Sequence, residues 1–106
     1  MGLFDFLRGP DINAGVEKYK STKGAVLLDV RTEEEFAQGH VQNAVNIPLQ
    51  EISKVTERIA DKSTPLFTYC LSGARSSQAA AIIKRMGYTD VTNIGGISSY
   101  RGKVVK

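Results

Sequence analysis

With 106 residues, 42% of them hydrophobic and 24% charged, the chain suits one folded domain, too short for two cores and too apolar for disorder. A single cysteine and a single histidine exclude an internal disulfide and leave too few soft ligands for zinc; a cytoplasmic setting is the expectation. The net charge of +3 favours small anions, but the basic residues form no run and lack interleaved aromatics, which argues against nucleic acid.

Residues 1–10, "MGLFDFLRGP", read as an N-terminal segment preceding a domain that spans 11–106. The segment is too short and, at Asp5, too acidic for a secretory signal, and it lacks the Ser or Thr at position 6 of a myristoylation signal. Leu3, Phe4, Phe6 and Leu7 are expected to dock on the domain or stay loose, rather than to bind a membrane or partner. No stretch reaches the roughly 18 apolar residues of a membrane helix, so stable insertion is not expected.

In the domain, Asn13 is the expected cap of a helix whose Ile12, Val16 and Tyr19 face inward, with Gly24 as its stop. "AVLLDV" (25–30) is a continuous apolar run, the pattern of a strand buried on both faces. Thr32 and Glu35 form a capping-box pattern, so "TEEEFAQ" predicts a short helix ending at Gly39, its glutamates at the favourable end of the dipole. "AVNI" predicts a strand, Pro48 a break, and Leu49 to Ala60 a polar helical stretch. "LFTY" (66–69) is a second buried strand. From Ser76 to Met86, apolar residues at 79, 82, 83 and 86 give helical spacing closed by Gly87. "VTNI" is a last strand before Gly95 and Gly96. Strands alternating with helices predict an α/β domain: a small parallel sheet flanked by helices on both faces, with its ligand site beyond the carboxyl ends of the strands.

Cys70, just past "LFTY", falls in that region. Between it and the next helix lie Leu71, Ser72, Gly73, Ala74 and Arg75, so the chain must curl, and Gly73 permits the curvature. A curled segment at a helix N-terminus aims several backbone N–H groups at one point, an anion cradle. A sulfur held there is pushed toward thiolate, with Arg75 adding its charge. Ser76 and Ser77 are available as caps or hydroxyl donors. A buried structural cysteine is the bland alternative, but the glycine turn, the serine pair and the strand-to-helix position favour a functional thiolate.

"LLDVRTEEEFAQGHVQNAVNIP" resembles the first signature of rhodanese domains, "YCLSGARSSQAA" their active loop, and "GGISSYRG" the segment after their last strand. The resemblance spans about residues 12–105. It implies a rhodanese-like fold and sulfurtransferase chemistry without a cofactor or a metal. Cys70 would take a sulfane sulfur from a small-molecule donor such as thiosulfate or polysulfide, or from a persulfide, and pass it to a thiol or cyanide acceptor. The backbone of Leu71, Ser72, Gly73, Ala74 and Arg75 would stabilise the anionic persulfide, with Arg75 and Ser76 holding the donor's oxyanion.

Three other roles stay open: a protein-to-protein sulfur carrier or redox relay, an inactive interaction module, and a Cys-dependent phosphatase or arsenate reductase. The last is disfavoured, because those phosphatases place five residues between Cys and Arg, whereas Cys70 and Arg75 enclose only four. The resemblance also implies that Asp29 and Arg31 anchor the scaffold and that His40 is structural. Glu34 and Glu35 read as a capped, solvated helix start, and Arg101 and Lys103 as solvated charges. Tyr100 stands where many rhodanese domains carry tryptophan.

Overall fold

Two neighbouring leucines explain the layering. In β1 (Val26–Asp29), Leu27 and Leu28 point to opposite faces of the strand, and both are fully buried. Leu27 packs with Ile12, Val16, Phe67 and Ile94, and Leu28 with Ile52, Val55, Leu66 and Ile83. Burying each leucine contributes roughly 2 kcal/mol, so the strand is held only where both faces are covered.

The computed structural model describes residues 9–106, so the expectations for Leu3, Phe4, Phe6 and Leu7 lie outside the described residues. The main sheet is four-stranded and parallel. Its order is β3 (Val45–Asn46), β1, β4 (Leu66–Cys70), β5 (Val91–Gly96). One face is covered by α1 (Ile12–Ser21). The other carries a 3-10 segment (Leu49–Lys54), α3 (Val55–Arg58) and α4 (Ala74–Arg85). A short α2 (Glu33–Gln38) follows β1. The expected α/β architecture, a parallel sheet with helices on both faces, is therefore present.

Local details depart from the sequence reading. The cap of α1 is Asp11, whose carboxylate accepts the Asn13 backbone N–H at 2.9 Å. The polar stretch from Leu49 divides into a 3-10 segment and one α-helical turn, kinked at Glu51. Helix α4 begins at Ala74, before either serine, so Ser76 and Ser77 do not cap it. Cys70 is the last residue of β4, paired with Gly96, and both Gly95 and Gly96 belong to β5. A second sheet, β2 (His40–Val41) against β6 (Val104–Val105), is antiparallel; strands of two residues leave no periodicity to read.

The β4–β5 register shifts where Thr68 pairs with Asn93 and Tyr69 with Gly95, leaving Ile94 as the extra residue of a bulge. The bulge redirects β5 beside the Cys70 loop. Gly96 then lets the loop lie across it: a Cβ there would overlap the Leu71 carbonyl oxygen and come within 2.6 Å of Ser72 Cα.

Candidate active site

Helix α4 starts without a side-chain cap, and this leaves room for a sulfur. Its N-cap is Gly73, at φ +106°, a conformation that disfavours any residue with a Cβ. The turn folds back so that the Gly73 N–H donates to Cys70 Sγ at 3.0 Å. The Ser76 hydroxyl lies 3.4 Å from the same sulfur. Below the loop, Thr68 Oγ1 donates to the Ser76 carbonyl at 3.1 Å and ties the first turn of α4 to the central strand.

Cys70 is only 1% exposed, and its ionisation is a contest. Burial pushes the thiol up and is the largest single influence. The Ser76 hydroxyl and the backbone N–H groups of Ser76, Gly73 and Ser72 pull it down, and the result is a thiol held below its ordinary value. The influences on the sulfur are therefore mixed, backbone N–H groups of the loop together with the Ser76 hydroxyl, and the nearest contacts are the Gly73 N–H and that hydroxyl. Leu71 turns its carbonyl to the Ser98 N–H, while the residue as a whole is 47% exposed. Ser72 and Ala74 are exposed, and Gly73 and Arg75 are half-buried.

The Ser76 hydroxyl carries one proton and faces several acceptors: Asn93 Oδ1 at 2.7 Å, the Gly73 carbonyl at 3.1 Å and the Gly95 carbonyl at 3.4 Å. Asn93 braces this corner further. Its Oδ1 accepts the Gly95 N–H at 3.2 Å, and its Nδ2 donates to the Gly73 carbonyl at 3.3 Å. Sequence reasoning missed Asn93. Its only signal was a half-buried amide side chain beside the apolar residues of β5.

Arg75 does not point its guanidinium at the sulfur as a free cation. It forms a two-pronged pair with Glu35, Nη1 to Oε1 at 2.7 Å and Nη2 to Oε2 at 2.9 Å. Glu35 is therefore not the solvated carboxylate expected from its helix position. It completes the capping box, accepting the Thr32 N–H at 3.0 Å, and also reaches Arg75. The Arg75 hydrogen bonds are the chief reason its carboxyl is held down at about 2, against the opposing effect of burial.

The other singled-out residues are structural in their contacts. Asp29 and Arg31 form a buried ion pair, 2.6 Å at its shortest, and Arg31 Nη2 also donates to the Gly39 carbonyl at 2.7 Å. His40 stacks on Phe36 with ring centroids 3.7 Å apart, its Nδ1 3.0 Å from the Phe36 carbonyl. Tyr100 packs partly buried against the Leu27 side of the core. Glu34, Arg101 and Lys103 are exposed, and the Arg101 N–H donates to Asn13 Oδ1 at 2.8 Å. Among the described residues, no three His, Cys, Asp or Glu side chains group as metal ligands, and no helix is long and apolar enough to cross a membrane.

A sulfur at the carboxyl edge of a parallel sheet, held by a glycine-turned loop at a helix N-terminus, defines a class of thiolate-loop α/β domain. The family model for the rhodanese-like domain matches residues 13–103, and the chain belongs to that family. It is 41% identical over 80 residues to the thiosulfate sulfurtransferase PspE of Escherichia coli, covering 74% of this chain and 77% of that protein. It is 36% identical over 85 residues to a sulfurtransferase of Allochromatium vinosum, covering 79% and 78% respectively. Among solved structures, a rhodanese with anions from E. coli superposes with a TM-score of 0.73 at 40% identity, covering 77% of this chain and 98% of that one.

Proposed function

We propose that the protein is a sulfurtransferase that carries a sulfane sulfur on Cys70, in a cytoplasmic setting where a lone thiol stays reduced. The observation that carries this reading is the Gly73 N–H donated to Sγ at the end of β4, with the Ser76 hydroxyl beside the same sulfur. Similarity to two sulfurtransferases supports it.

In the first half-reaction, the Cys70 thiolate attacks the outer sulfur of thiosulfate. An Sγ–S bond forms, the S–S bond of the donor breaks, and sulfite leaves with the electron pair. In the second, cyanide or an acceptor thiolate attacks the terminal sulfur. The Sγ–S bond breaks, Cys70 departs as thiolate, and thiocyanate or a new persulfide is released. Nothing is oxidised overall, because the sulfane sulfur moves as such. Donors aimed at Sγ help both steps, since negative charge rests on or beside that sulfur throughout. The remaining loop backbone, from Leu71 to Arg75, is proposed to receive the terminal sulfur.

Intact-protein mass spectrometry after mixing with thiosulfate, polysulfide and cysteine persulfide tests the reading. Wild-type protein is expected to gain one sulfur atom and Cys70→Ala none. Wild-type protein unmodified by every donor would overturn the proposal. The exposed Leu71, next to the sulfur, also favours a carrier role in which the acceptor is another protein. Loaded protein that gives its sulfur equally fast to every small thiol would count against that second reading. A phosphatase role gains no support from a loop whose arginine is already paired with a carboxylate.

A further inference from the structure

The segment from Cys70 to Ser76 contains one charged side chain besides the sulfur, Arg75. A sulfonate-ended donor such as thiosulfate would use that guanidinium, because a planar fork of N–H groups matches an oxyanion. Here the fork is taken. Glu35 presents both carboxylate oxygens to Nη1 and Nη2, and neither partner is more than one-third exposed. The carboxylate is also held by the Thr32 N–H at 3.0 Å and the Thr32 hydroxyl at 3.1 Å, both on Oε1, the oxygen that also meets Arg75 Nη1. Glu35 therefore stands where a substrate oxyanion would bind, fixed to another helix. Arg75 remains within electrostatic reach of the sulfur: after Glu35, charge on Cys70 also favours the charged guanidinium.

Resting on the sulfurtransferase reading, we infer that Glu35 is a specificity-determining residue: an internal carboxylate that occupies the Arg75 fork and biases Cys70 toward thiol persulfides over oxyanion-bearing donors. A thiol persulfide brings its sulfane sulfur with no sulfonate end and does not need the fork. Thiosulfate must compete with a carboxylate already in place. The inference concerns recognition and leaves the bond-making steps unchanged.

Glu35→Gln isolates this effect. Glutamine serves as well as glutamate at the third position of a capping box, so α2 keeps its start while the charge facing Arg75 is removed. Cys70 loading is followed by quenched mass spectrometry against concentration of thiosulfate or cysteine persulfide. The half-saturating thiosulfate concentration is expected to fall about three- to fivefold, the range set by a partly exposed ion pair, with the persulfide value essentially unchanged. The double variant Glu35→Gln/Arg75→Gln should lose the gain. A readout independent of turnover is protection by sulfate: it should slow iodoacetamide alkylation of Cys70 at lower concentration in Glu35→Gln than in wild type. Unchanged or weakened thiosulfate and sulfate binding in Glu35→Gln would overturn the inference, as would a gain that survives loss of Arg75. Normal loading of wild-type protein by persulfide in the same experiment would show that the sulfurtransferase reading still stands.

Discussion

Two of the strand-to-helix turns on the carboxyl edge of the sheet, after β1 and after β4, are built in opposite ways. After β1, side chains do the work. Asp29 and Arg31 neutralise each other in the interior, Arg31 holds the Gly39 carbonyl, and Thr32 caps α2. After β4, the turn is made by Gly73 with no side-chain cap, and a backbone N–H reaches the Cys70 sulfur. The donors of a helix N-terminus are limited in number. Where a side chain claims them, the junction is a brace; where none does, they are free to stabilise an anion. An ion pair, Glu35 to Arg75, ties the two junctions together.

The contrast is broken most severely at Asp29. Asp29→Asn keeps the volume but leaves Arg31 as a buried, uncompensated charge, at a cost of about 3 kcal/mol, measurable as a lower urea midpoint. The variant that remains folded should show little change in the pH midpoint of Cys70 alkylation. A midpoint that moved substantially would mean that the first junction also tunes the sulfur.

Gly73→Ala should behave in the reverse manner. Its stability cost is smaller, about 1–2 kcal/mol for placing a Cβ at φ +106°. Its effect on the sulfur is larger. Misaiming the Gly73 N–H removes a donor from the thiolate, so the alkylation midpoint should rise. Alkylation at a fixed neutral pH then slows. An unmoved midpoint would show that the other donors, the Ser76 hydroxyl and the Ser76 and Ser72 N–H groups, hold the charge without it.

The contact between the junctions gives the smallest effect, and it depends on pH. The Glu35 carboxyl lies at about 2 in the folded protein, chiefly because of Arg75, against an ordinary value of 4.5. Because the folded value is depressed, its stabilisation is fully present above the unfolded value and disappears as pH falls from about 4.5 through about 2. The stability difference between wild type and Glu35→Gln, expected to be at most about 1 kcal/mol for this solvent-screened pair, should therefore shrink to nothing over that window. A difference that persists undiminished well below pH 2 would place the stabilisation elsewhere.

How much of this was legible beforehand differs between the same two regions. The Thr32–Glu35 capping box was readable because its partners lie three residues apart, and local spacing decides who meets whom. That Glu35 directs its carboxylate to Arg75, forty residues away, was not readable: Glu35 alone looks like a solvated helix start, and Arg75 like a cation free to serve the sulfur or its donor. Asn93 was overlooked for a related reason. Its amide acquires a purpose only when the bulge at Ile94 brings β5 against the Gly73 turn.

The amino-acid order by itself determined the alternation of strands and helices, the burial of β1 on both faces, and the place of Cys70 at the carboxyl edge of the sheet. These follow from short-range patterns of apolar residues, glycines and caps. Tertiary structure alone decided which donors touch the sulfur, that Ser76 lies under the loop without capping its helix, and that the loop arginine is already matched by a carboxylate. Those outcomes depend on distances between segments remote in the chain, set by how two helices and a bulged strand pack around one turn, and no local spacing encodes them.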